Sequence, residues 1–258
     1  MVCLSKLKDE IYQGILCTEE QLYPEFDALQ RFCFDNQLAD YEFDGARYLI
    51  NSATPKNKEN FLPSITLDGN DFGMSGYHFK KLPYEDFRFF FLGKFTGCCE
   101  RLFEHCKNSV VHGYKTREST FYVLTDPKDR IIAHSWVWIS KDDYLVFDGF
   151  EANQNDRRIS DPLIKKLLNL FSENIKQDPD FCEIKGIVLG KSRQGLAPHQ
   201  GMKKIAITTH VSDMSKWVTK ADEKNLGDFG NYIGYSQEFF IFKELRQALP
   251  DSYPSPSL

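Results

Sequence analysis

The sequence predicts an α+β fold: a mixed, mainly antiparallel sheet flanked by helices, carrying an N-terminal helical and irregular extension. Two observations carry this. The segments TFYVLTD, RIIAHSWVWIS and YLVFDGFEA show a β-like alternation and are separated by turn residues at 127–129 and 141–143, the pattern of strands joined by hairpins. They read as three consecutive antiparallel strands over 120–151. Ser160-Asp161-Pro162 then supplies an N-cap and an early-helix proline before LIKKLLNLFSENIKQ, in which Leu163, Leu167, Leu170, Phe171 and Asn174 share a face.

The remaining elements follow in chain order. Over 19–34, Leu22, Phe26, Leu29, Phe32 and Cys33 fall at mostly helical spacing and predict an amphipathic helix from about Pro24. NSATPKNKEN, 51–60, is polar and without periodicity, so it reads as a loop or boundary. The next stretch is dense in Gly, Pro and aromatics and reads as irregular structure leading into a helix near 84–92. After the strong helix, CEIKGIVLG reads as a buried strand, KKIAITTHV as another, and YSQEFFIFKEL as the last, before a tail ending PDSYPSPSL. The expected organisation is an N-terminal helical region (1–60), a segment packed on the core (61–119), the core itself (120–246) and a flexible tail (247–258).

Composition narrows the function classes. With 258 residues, 41% hydrophobic and 27% charged, the chain can bury a full core and has neither disordered nor membrane composition. No run approaches the ~18 apolar residues that span a bilayer, and the first residues lack a signal-peptide apolar region. The chain is expected to be cytoplasmic, or exported without a cleaved signal. Seven cysteines are an odd number without framework spacing and read as reduced thiols. A net charge of −5 argues against a nucleic-acid partner and leaves basic protein substrates possible.

From Thr120 onward, the order of three strands, helix, strand, further element and final strand resembles the GNAT superfamily of N-acetyltransferases, over roughly half the chain. The resemblance implies an acyl-CoA-dependent N-acyltransferase with acetyl-CoA as cofactor. In that fold the third strand is splayed from its neighbour, and acyl-CoA bonds to its backbone. The pyrophosphate sits on the amides that open the next helix, where unpaired N–H groups and a partial positive charge meet an anion. The cofactor-binding residues implied here are Phe150, Ala152, Gln154, Arg157, Arg158, Ile159 and Ser160. Against the family's Arg/Gln-x-x-Gly-x-Gly/Ala loop, Arg157 fits, whereas Ser160 and Pro162 stand at the glycine positions and Pro162 removes an amide donor. The reaction needs a base for the amine and an acid for the departing thiolate. Glu151 is the first candidate base and Asp148 the second, with Tyr235 or Tyr232 as the acid; ordinary solvent-facing carboxylates and packing tyrosines are the competing readings.

A fainter resemblance joins LPSITLDGNDFGMSGYHFKKLP, LGKFTGCCERL and the three strands to an uncharacterised domain of effector-like proteins of intracellular bacterial pathogens and of phage-linked proteins. It implies Gln at the place of His134, which argues against an essential catalytic role for that histidine.

Two further constellations use residues upstream of the helix. Cys98 or Cys99, His134 and Asp148 occur in the chain order of transglutaminase-like and papain-like enzymes. There an imidazole favours a thiolate and a carboxylate fixes the imidazole tautomer. Against this, Glu100 stands where an aromatic usually follows the nucleophile, and buried cysteines with a hydrogen-bonded strand histidine account for the same residues. Cys99, His105, Cys106 and His112 offer thiolate and imidazole ligands for a zinc-stapled interaction module, but match no Cys-x-x-Cys knuckle. No nucleotide P-loop occurs: Gly190-Lys191-Ser192 is a fragment of one.

Overall fold

The structure, a computed structural model, describes residues 19–52, 61–153, 156, 158–191, 196–208, 217–229 and 238–245, with side chains described from residue 26 onward. In chain order the elements are α1 (Glu19–Asp35), α2 (Asp40–Ser52), β1 (Thr66–Asp68), α3 (Gly69–Phe72) and β2 (His78–Lys81). A 3-10 turn (Phe87–Phe91) leads into α4 (Leu92–Thr96), then come α5 (Lys107–Lys115), β3 (Ser119–Thr125), β4 (Ile131–Ile139), β5 (Tyr144–Phe147) and β6 (Glu151–Ala152). The chain continues with α6 (Asp161–Gln177), β7 (Gly186–Gly190), β8 (Lys204–Ile205), α7 (Lys220–Leu226) and β9 (Phe239–Glu244). The α+β expectation is met. Among the described residues, no helix is long and apolar enough to cross a membrane.

Among the described residues, nine strands form one sheet in the order β1-β2-β3-β4-β5-β7-β9-β8, with β6 pairing β4 beside β5. The pairings are antiparallel except β5 with β7, which is parallel. That parallel pair is the one closed by a crossover helix, α6, as parallel pairing requires. Strand alternation divides the core in two. Phe121, Val123, Trp136, Trp138, Val146 and Val188 face one layer, formed with α1, α2, the 3-10 turn, α5 and α7. Tyr122, Leu124, Ala133, Val137, Leu145, Phe147 and Leu189 face the other, against Ile164, Leu167, Leu168 and Phe171 of α6.

Several expectations shift in detail. CEIKGIVLG is a strand only over Gly186–Gly190, and KKIAITTHV, as far as residue 208, only over Lys204–Ile205. The helix expected from about Pro24 begins at Glu19. The helix expected near 84–92 is divided into a 3-10 turn capped by the Asp86 side chain and the short α4. The segment YLVFDGFEA is two strands: Phe147 pairs Val137 and Glu151 pairs His134. Four steps on one strand therefore match three on the other, which is a bulge of one residue at Gly149-Phe150.

Asp222 ties the helical layer together. It closes a capping box with Thr219 at the start of α7, accepts from Tyr48 of α2 at 3.0 Å and pairs with Lys115 of α5 at 2.6 Å, fully buried. Burial works to raise its carboxyl pKa, but the bonds from Lys115 and Thr219 outweigh that and hold it below the usual carboxylate value. Asp222→Ala is expected to destabilise by about 2–4 kcal/mol, because it takes the carboxylate from a half-buried Lys115 ammonium and removes the cap. Since the folded pKa is depressed, this stability is present above the unfolded value near 4 and is lost as pH falls through the folded one. Urea unfolding of wild type and variant from pH 7 down to pH 3 checks it: the gap between them should narrow with acid.

Candidate functional site

Three donor groups converge where the loop after α4 meets β4. Helix α4 ends at Gly97, which adopts φ +77°, a left-handed value that glycine takes without strain. The chain then turns back so that the Gly93 amide donates to the Glu100 carbonyl at 2.9 Å. Gly93 allows this close pass, for a Cβ there would lie 2.2 Å from the Cys98 carbonyl oxygen. The fold-back sets the Cys98 and Glu100 side chains over His134, which β4 presents on the same face as Trp136 and Trp138.

His134 is completely buried, and its Nε2 lies 2.6 Å from Glu100 Oε2 and 3.8 Å from Cys98 Sγ. Its other nitrogen, Nδ1, lies 3.3 Å from Thr96 Oγ1, and that hydroxyl also lies within bonding distance of Leu92 O, at 3.3 Å. The Cys98 sulfur is further met by the Glu100 amide at 3.4 Å and Thr96 Oγ1 at 3.5 Å. Burial alone would lower the His134 pKa, but the charge and hydrogen bond of Cys98, then those of Glu100, outweigh it and push it up to about 10. Cys98 and Cys99 are half-buried, so the cluster reaches the surface on the cysteine side.

The register sets Glu151, not Asp148, directly across from His134, and directly opposed residues share a sheet face. Asp148 belongs one step earlier, its amide donating to the Trp136 carbonyl at 2.9 Å. Glu151 also reaches Cys99 electrostatically. The Cys106 thiol bonds to Cys99 and holds the Cys99 pKa below the ordinary thiol value, while burial and the charges of Glu100 and Glu151 push the other way. All five cysteines among the described residues are free.

The structure thus brings together Cys98, His134 and Glu100, with Glu151 and Cys99 beside them. Glu100 is the residue that the sequence reading noted without assigning a role; the signal for it was a Cys-x-Glu step next to a buried strand histidine. A thiol–imidazole–carboxylate relay uses the two ring nitrogens for two different partners. Here thiol and carboxylate meet at the same one. Of the zinc set considered from sequence, Cys99 and Cys106 meet, His105 is exposed, and His112 is buried against Trp136 and Trp217.

Of the residues expected to hold a cofactor, Phe150, Ala152 and Ile159 turn buried side chains into the α6 face of the core, so they offer a ligand only their backbone. Ser160 caps α6 with its backbone and makes no side-chain cap bond. Arg158 is paired with Asp156 and bonded to the Tyr77 hydroxyl. Gln154, Arg157, Tyr232 and Tyr235 lie outside the described residues. Comparison with protein families, curated proteins and solved structures found nothing that matches this chain.

Gly93→Ala is expected to open this site. The added methyl meets backbone on three atoms of residues 98 and 100, which cannot swing aside as a side chain could, so the loop must lift. A cost of about 1–3 kcal/mol follows, together with loss of the hydrogen-bonded His134 ring-proton signal in NMR. Gly97→Ala, with nothing within 4 Å of its Cβ, should cost about 1–2 kcal/mol through its backbone conformation and keep that signal. Identical His134 signals in wild type and Gly93→Ala would refute the account.

Proposed function

We propose that the chain is an acyl-CoA-dependent N-acyltransferase, with the β6 bulge as its transfer centre and an amine of a protein or small molecule as acceptor. The observation that carries this reading is the division of the third strand of the expected core. β5 is paired on both sides, to β4 and to β7, but its ladder to β7 ends at Phe147 opposite Leu189. Beyond the bulge, β6 pairs β4. A third strand that parts from its parallel neighbour and is followed by a helix is the feature through which the GNAT resemblance implies thioester binding.

The chemistry follows from the groups gathered there. Glu151 takes a proton from the acceptor ammonium, and the free amine attacks the thioester carbonyl. The thiolate leaves with a proton from the acid that the resemblance puts at Tyr235 or Tyr232. The shared use of one His134 nitrogen by Cys98 and Glu100 favours this reading over a cysteine-nucleophile enzyme. The phosphate end is less open than in the family's usual loop. Asp161 in the first turn of α6 accepts from the Ala197 amide at 2.8 Å, and Arg158 must leave Asp156 to meet a pyrophosphate. Affinity for CoA is therefore set by that exchange.

Thermal-shift titration with acetyl-CoA, free CoA and an unrelated nucleotide tests the reading. A ligand at a hundredfold excess over its Kd adds about 2.7 kcal/mol to native stability, so both CoA species should raise the unfolding temperature and the nucleotide should not. Arg158→Glu is expected to abolish the shift, Asp156→Asn to enlarge it by releasing Arg158, and Glu151→Gln to keep binding while lowering turnover about 10²–10⁴-fold. Equal response to CoA and to the control nucleotide would end the proposal.

A further inference from the structure

We propose that Cys98, Glu100 and His134 form a three-ligand site for a borderline divalent cation, zinc in the first place. One donor atom from each residue, sulfur, carboxylate oxygen and imidazole nitrogen, lies within 4.8 Å of the other two. Around a tetrahedral zinc, with bonds of about 2.0–2.3 Å, neighbouring donors sit about 3.5 Å apart. The Cys98–His134 separation of 3.8 Å already fits. The 2.6 Å contact between Glu100 and His134 is the length of a shared proton, and an ion that replaces this proton widens it by a rotation of the carboxylate.

The surroundings have the features that such a site needs. A metal-bound imidazole holds its remaining N–H on a fixed acceptor, which sets the tautomer and aims the ligating nitrogen. Thr96 Oγ1, 3.3 Å from Nδ1, occupies that place and leaves Nε2 for the ion. The hydroxyl has its own acceptors in the Leu92 carbonyl inside α4 and the Cys98 sulfur, so its lone pairs are left to face Nδ1. Thiolate with imidazole selects zinc or a neighbouring transition ion over magnesium or calcium, which prefer oxygen ligands. Two anionic donors balance the charge of a divalent ion. Three protein ligands leave a fourth position for water or a ligand atom, the form of a reactive rather than a purely structural site, and the half-buried cysteine side gives it a path to solvent.

The inference stands apart from the acyltransferase reading, and its test does not involve CoA. The full chain is stripped with a chelator and titrated with Zn²⁺ against a chromophoric competitor, and separately with Co²⁺ followed by absorbance. One ion per chain is expected, with a thiolate-to-cobalt charge-transfer band that Cys98→Ser removes and that Cys99→Ser and Cys106→Ser retain. The nearly isosteric Thr96→Val should weaken Zn²⁺ about 10–100-fold, and bound zinc should slow iodoacetamide labelling of Cys98. Circular dichroism of each variant separates loss of ligand from loss of fold, and Glu100→Gln provides a second ligand change away from the strand. No stoichiometric ion, a cobalt band that survives Cys98→Ser, or Cys98 labelling at equal rates with and without zinc each overturns the assignment.

Discussion

Strand β4 is covered on both faces and paired along both edges, and nearly everything else is arranged to satisfy it. Eight of its nine residues are buried, and its register with β3 runs from Ser119–Trp138 to Thr125–Ile131. Apolar positions on such a strand are stabilised by burial at about 25 cal/mol per Å². His134 is not apolar, and an imidazole enclosed without partners costs several kcal/mol. The α4 loop supplies those partners. Burial of one polar residue on the central strand thereby dictates the left-handed Gly97, the close pass at Gly93 and the inward turn of Cys98 and Glu100. Trp136 meets the same constraint by donating to Ser119 Oγ at 2.6 Å on the neighbouring strand.

The opposite face holds the bulge in place. Phe79, Tyr122, Phe147, Phe150 and Phe171 pack ring on ring, with Phe150 stacked on Phe147 at 5.7 Å and an interplanar angle of 9°. Phe147 and Phe150 are three residues apart, so regular alternation would send them to opposite faces. Both are drawn to the α6 side, which leaves one extra residue to be absorbed at Gly149. The absorbed residue is why Glu151 emerges on the His134 face. An aromatic preference on one side of the sheet thus selects which carboxylate stands beside the site on the other.

The parts legible from sequence were those written in local periodicity. Alternation marked β3, β4 and β5, and Ser160-Asp161-Pro162 marked the start of α6 to the residue. The hairpin-like pair β1 and β2 was hidden because its strands are three and four residues long and flank α3, which Asp68 caps and Gly73 ends at φ +86°; such a stretch reads as turns. Helix α7 carried a signal that was not used, Thr219 three residues before Asp222, the spacing of a reciprocal cap. Cys98 and His134 stood out by residue type. Their partner Glu100 did not, since its meeting with His134 spans 34 residues and depends on a fold-back that glycines permit but do not announce. The chain order Cys98, His134, Asp148 pointed to Asp148 beside the histidine; that Glu151 stands there instead depends on the bulge, and Gly149 in a strand pattern leaves its register open.

The convergence on His134 bears on what the cluster is for. A buried ionic group is a poor source of stability, because its desolvation offsets most of the attraction, and well-packed apolar replacements are often neutral or better. Holding the sheet and the α4 loop together would be served as well by leucine and valine. What apolar residues cannot do is aim a sulfur, a carboxylate and an imidazole at one point, with the second ring nitrogen fixed on a hydroxyl. Two partners at a single nitrogen compete for one proton, a frustrated arrangement for hydrogen bonding alone. They stop competing once a divalent ion takes the proton's place, since each donor then bonds the metal directly. A divalent ion would give sulfur, carboxylate and imidazole one common centre once the Glu100 carboxylate rotates to widen its 2.6 Å contact with His134, and that centre lies on β4 directly across from Glu151.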